Sequence, residues 1–85
     1  MYQILLERTA EKDLRRLGDE IHDRVIVALR GLARDPRPPG ARKLAAGSGE
    51  WRIRVGDHRI VYGIADVIRV VRVYRVRHRR DVYRD

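Results

Sequence analysis

The chain has 85 residues, 20 of them basic against 12 acidic, for a formal net charge of +8, and it contains no cysteine. That length holds one small domain, spanning residues 1 to 85, with one modest core and no room for a second domain, and the lack of thiols excludes disulfides and thiolate metal sites and suits a reducing compartment. So much positive charge on so small a body calls for an acidic partner, and least of all a membrane, because no basic helix here carries the Trp, Phe and Leu face of an interfacial helix.

Taken in order, Tyr2 to Glu7 opens with the apolar run Ile4, Leu5, Leu6 and predicts a short, well-buried strand. This run is too short for a signal peptide, and no segment approaches the roughly 18 apolar residues of a membrane span, so a cytoplasmic protein is expected. Thr9 is the expected N-cap of a first helix, with Glu11 in its first turn, Ala10, Leu14 and Leu17 on the buried side and Gly18 at its end. Asp19 is then the expected cap of a second helix, whose apolar stripe is Ile21, Val25, Ala28, Leu29 and Leu32. The run Asp35-Pro36-Arg37-Pro38-Pro39-Gly40 stops that helix, because proline lacks the amide donor and favours extended backbone.

A loop holding Lys43 and Leu44, and a flexible Gly47-Ser48-Gly49, leads to the most informative stretch, residues 50 to 64. It reads as two alternating strands joined at Gly56 and Asp57, a pair suited to a tight primed turn. That turn sets Val55 opposite His58, Arg54 opposite Arg59, Ile53 opposite Ile60, Arg52 opposite Val61 and Trp51 opposite Tyr62. Side chains alternate between the faces of a strand. Trp51, Ile53, Val55, Ile60, Tyr62 and Ile64 therefore make an apolar face, and Arg52, Arg54, Arg59, Val61 and Gly63 make the other. Like charges opposed across a sheet cost roughly 0.2 to 1 kcal/mol per pair, so stability alone gives no reason to set Arg54 against Arg59. Either the arginines form a solvated face of an arginine-rich chain, or they await an anion.

Asp66 marks a second turn, and Arg69 to Val76 is rich enough in β-branched residues to be a third consecutive strand. Its pattern puts Val70, Tyr74 and Val76 on one side and Val71 and Val73 on the other, which predicts a central strand buried in part on both sides. The tail, Arg77 to Asp85, is charged, with Val82 and Tyr83 as its anchors. The three histidines are scattered and suggest no metal site.

This order of elements resembles the RelE/ParE superfamily of type II toxins. The resemblance rests on Lys43-Leu44, the string from Trp51 to Tyr62 and the ending His78-Arg79-Arg80-Asp81-Val82-Tyr83-Arg84, and it covers nearly the whole chain. It implies an α+β fold, with an N-terminal strand, a two-helix hairpin packed on a small, mostly antiparallel sheet, and a C-terminal three-strand meander. It further implies the toxin of a toxin–antitoxin pair, and in the RelE branch a ribosome-dependent endoribonuclease that cuts mRNA in the A site. No metal or cofactor is required: the ribose 2′-hydroxyl attacks the adjacent phosphate, leaving a 2′,3′-cyclic phosphate and a 5′-hydroxyl. The partners implied are a RelB-like antitoxin, the ribosome and mRNA, with operator DNA reached only through the antitoxin complex.

By position, the resemblance makes Arg52, Arg54, Arg59, Arg79 and Tyr83 the catalytic set, with Lys43, Arg77 and Arg80 joining the hairpin arginines in binding RNA. Some relatives carry lysine where Arg52 and Arg54 stand, and arginine cannot take a proton as a lysine of lowered pKa can. The base is then Tyr83 or His78. A further departure is Ala45, where some relatives have a basic residue. A ParE-like toxin that binds and inhibits DNA gyrase without cutting is the alternative, and an RNA-binding module without catalysis is a third reading.

Overall fold

The computed structural model describes residues 1–44 and 49–82. Strand β1 (Gln3–Leu6) is followed by helices α1 (Arg8–Arg15) and α2 (Asp19–Arg34), strands β2 (Arg42–Lys43), β3 (Glu50–Val55), β4 (His58–Ala65) and β5 (Val70–His78), and a short helix α3 (Arg79–Val82). The five strands form one sheet in the order β1-β5-β4-β3-β2, with β1 parallel to β5 and every other pairing antiparallel. This is the expected α+β architecture. No helix among the described residues is long and apolar enough to cross a membrane.

The hairpin has the register its turn predicts, from Trp51 opposite Tyr62 to Val55 opposite His58. Gly56 adopts a φ of 60°, the left-handed region that an L side chain resists. One face of the sheet is covered by the helices. Ala10 and Leu14 of α1 and Val25, Leu29 and Leu32 of α2 meet Ile53, Val55, Ile60, Tyr62, Val71, Val73 and Val76 in one core, with Trp51, Ile21 and Ile64 at its margin. Burying each large aliphatic or aromatic side chain of this kind contributes about 1.5 to 3 kcal/mol before the entropy of ordering it. The phenol of Tyr62, fully buried, donates to the carbonyl of Pro36 at 2.7 Å and so ties the proline loop to the core.

Several local expectations are corrected. The first strand lies at the edge of the sheet, and Ile4, Leu5 and Leu6 are only half-buried. Thr9 sits inside α1, whose N-cap is Glu7, and its hydroxyl donates instead to the carbonyl of Tyr74 at 2.8 Å. The first helix stops at Arg15, with Arg16 as its C-cap, short of Gly18. Gly18 caps α2 and Asp19 is its first helical residue, where its charge still complements the helix dipole. Lys43, expected in a loop, pairs with β3, as does its neighbour Arg42. The tail begins with a helical turn. Ala45 to Ser48 and Tyr83 to Asp85 lie outside the described residues.

The largest correction concerns β5. Tyr62 faces Val73 but Val61 faces Arg75, so Tyr74 is an extra residue, a bulge in the ladder. It resets the alternation, and Val76 joins Val71 and Val73 on the core face where strict alternation would have turned it away. The strand is central, as expected. Beyond Val73, where β1 no longer pairs with it, α1 lies along its edge: Thr9 takes the Tyr74 carbonyl and the Asp13 carboxylate accepts the Val76 amide at 2.9 Å. Two side chains thus stand in for the missing strand.

Candidate functional site

The face turned away from the helices is built by the pleat. Arg54, Arg59 and Arg77 stand opposite one another on β3, β4 and β5. With strands about 4.8 Å apart, their backbones span roughly 10 Å. Two residues along, a second row runs Arg42, Arg52, Val61, Arg75 from β2 to β5. A third includes Glu50, Gly63 and Arg72, with the ring of Tyr74 close enough over Gly63 that a Cβ there would lie 2.9 Å from its hydroxyl. Six arginines in two adjacent rows, on one face of the sheet, form a strongly positive surface whose guanidinium forks match phosphate oxygens.

The individual side chains are held in different ways. Arg59 is half-buried, with its Nε enclosed. Arg54 is exposed, and its Nε donates to the carbonyl of Gly56 at 2.9 Å, which draws the guanidinium toward the hairpin turn. Arg75 is bound to Asp13 through Nε at 2.9 Å and Nη2 at 3.1 Å, so its charge is drawn to the sheet edge. Arg72 pairs with Glu7 at 3.5 Å. Arg52, Arg59 and Arg77 belong to the middle of the face, and Arg54 reaches from the same row to the turn.

The tail docks at the hairpin turn. The amide of Arg79 donates to the carbonyl of Asp57 at 2.7 Å, bringing the first residue of α3 beside the end of the Arg54–Arg59–Arg77 row. Arg80, next in α3, is exposed, and its amide donates to Nδ1 of His78 at 3.3 Å. His78 itself aligns with His58, and so belongs to the helix-side face at the turn end of the sheet, away from Arg59 and Arg77. The two imidazoles meet edge to face, 5.3 Å between centroids. Tyr83 falls outside the described residues.

Lys43 aligns with Trp51 and therefore belongs to the opposite face from Arg52, while Arg42 takes the position beside Arg52. Arg42 and Arg75 are the residues that sequence reading missed. Pairing of the Arg-Lys dipeptide with Arg52-Trp51 would have found the first, and the bulge hides the second. Trp51 stays with the core side, half-buried, under the Arg37 guanidinium at 5.4 Å.

Comparison with known proteins agrees with this architecture. Residues 4–83 match the family model described as the ParE toxin of the type II toxin–antitoxin system parDE. Toxin RelG of Mycobacterium tuberculosis is 33% identical over 84 residues, which cover 98% of this chain and 97% of that toxin. Among solved structures, the toxin–antitoxin complex RelBE2 of M. tuberculosis contains a chain similar at a TM-score of 0.81 and 29% identity, covering 91% of this chain and 96% of that one. The intact RelBE toxin–antitoxin complex of E. coli gives a TM-score of 0.80 at 25% identity, over 92% of this chain and 96% of that one. A match over nearly the whole length, in sequence and in fold alike, makes this chain a member of the RelE/ParE superfamily of type II toxins, in its RelE branch.

Proposed function

We propose that the chain is a ribosome-dependent endoribonuclease that cleaves mRNA in the A site, held in check by a RelB-like antitoxin. The observation that carries this reading is the alignment of Arg54, Arg59 and Arg77 across three adjacent strands, with Arg52 in the next row. The 2′-hydroxyl attacks the neighbouring phosphorus, the phosphorane gathers negative charge, and the 5′-oxygen leaves with a proton. Fixed guanidinium groups stabilise that charge without reorganising, which is worth most where water is displaced. Arginine does not exchange its proton. The helix-side position of His78 leaves Tyr83 as the residue to which we assign proton transfer, and Arg79, anchored at the hairpin turn, as a further phosphate ligand. Lys43, on the opposite face, and Arg80 would serve as peripheral RNA contacts.

An antitoxin partner is supported by the similar toxins solved in complex with theirs. Its acidic residues would cover the same arginine face. The family model described as ParE favours a second reading, a toxin that inhibits DNA gyrase without nuclease activity. The two separate by mapping mRNA 3′ ends in a purified translation reaction, with and without ribosomes, for the wild type and Arg59→Ala. Ribosome-dependent cuts within A-site codons, reduced about 10²- to 10³-fold in Arg59→Ala, are expected. Intact mRNA beside a toxic wild type would favour gyrase.

A further inference from the structure

On the helix side of the hairpin turn lies an open cleft of about 480 Å³, lined by Ile21, Arg24, Arg54, Gly56, Asp57, His58 and His78. We propose that it holds a phosphate group of an RNA strand, one that passes the turn after leaving the arginine face. This inference rests on the RNA reading above and names a site that shares Arg54 with the catalytic set and extends beyond it to Arg24, His58 and His78.

Four basic side chains reach the cleft from four different elements: Arg24 from α2, Arg54 from β3, His58 from β4 and His78 from β5. Among the described lining residues the one carboxylate, Asp57, is at the exposed tip of the turn. The arginines are positioned. Arg54 is fixed by its bond to the Gly56 carbonyl, and Arg24 lies over the turn, its Nη1 only 3.2 Å from where a Cβ on Gly56 would stand. Glycine at 56 thus serves both the turn and the approach of the guanidinium. Because Nδ1 of His78 accepts the Arg80 amide, the neutral ring carries its proton on Nε2, as a donor.

Arg54 belongs both to the arginine row and to this cleft, so one polyanion touching the row extends into the cleft without a gap. That continuity favours a nucleic-acid strand over an isolated acidic side chain. Guanidinium and imidazole donors together suit a tetrahedral phosphate, which takes several hydrogen bonds at once.

The test is an NMR titration of the imidazole signals with inorganic phosphate, with a short single-stranded oligoribonucleotide and with an acidic peptide of equal charge, on the wild type, Arg24→Gln and Arg24→Lys. Arg24 is exposed on α2, so both variants should fold. Expected are saturable shifts of His58 and His78 with phosphate and, at lower concentration, with RNA. Arg24→Gln should weaken RNA binding about ten-fold and lower its log–log salt slope by about 0.7, with Arg24→Lys in between. Histidine signals that stay unmoved while RNA binds, or that answer the peptide as strongly as the RNA, would overturn the proposal. Ribosome-dependent cleavage by the wild type with unmoved histidines removes this site alone. Moved histidines without cleavage keep the site and remove the nuclease reading.

Discussion

Asp13 and Arg75, 62 residues apart in the chain, are joined by two hydrogen bonds of 2.9 and 3.1 Å, and the same carboxylate accepts the amide of Val76. Asp13 is nearly buried, whereas the Arg75 side chain is 39% exposed, so water screens part of the pair. The larger contribution is the satisfied amide at the sheet edge. Asp13→Ala should destabilise the fold by about 2 to 3 kcal/mol and lower the melting temperature by roughly 10 °C or more, read by urea and thermal denaturation. A midpoint unchanged within error would show that the edge is held by α1 packing alone.

Asp66 should make stability sensitive to acid. Its carboxylate accepts Arg37 at 2.9 and 3.2 Å and the Tyr2 phenol at 2.6 Å, and these bonds, Arg37 first, lower its pKa from 3.8 to about 2. The folded form therefore keeps the charge that the unfolded chain loses near 3.8. Its contribution is complete above that value and is lost as pH falls through about 2. Melting curves of the wild type and Asp66→Asn should differ at neutral pH and converge toward pH 2. Parallel pH profiles would contradict the assignment.

Tyr62→Phe removes a fully buried hydroxyl and leaves the Pro36 carbonyl without that donor. The expected cost is about 1 to 2 kcal/mol at equilibrium, with the proline loop more open to proteolysis. Burial pushes the Tyr62 phenol up to about 12, so its ionisation should be absent from an absorbance titration through pH 10.

For catalysis, Tyr83→Phe should leave ribosome affinity within about two-fold and slow cleavage by about 10²- to 10⁴-fold, the range for a lost proton-transfer group. Binding and single-turnover cleavage measured side by side would decide it. Equal losses in both would make Tyr83 an anchor for the tail.

The hairpin was legible in the sequence because a two-residue turn at Gly56-Asp57 leaves no freedom of register: once the turn is placed, every cross-strand pair follows. The α2 stripe was legible because helical spacing over sixteen residues is hard to mistake. What escaped depended on distant parts of the chain. Arg42 acquires its place beside Arg52 only when β2 pairs, and a two-residue strand has no periodicity to read. Thr9 resembles an N-cap until the free edge of β5 claims its hydroxyl. His78 and Arg77 are adjacent in sequence, and the alternation that sends them to opposite faces applies only because β5 runs on to His78, past the expected end at Val76.

The bulge at Tyr74 holds one residue more than the ladder needs. Deleting Tyr74 would leave Val73, Arg75, Val76 and Arg77 in regular alternation against the same partners on β4, with Val76 still in the core and Arg77 still on the arginine face. Removing one residue elsewhere in the strand, with the bulge kept, would instead set the residues beyond it on the wrong faces. The irregular residue is thus the strand's one reserve of length, the spot at which a residue can be lost while the core and the arginine face are both kept.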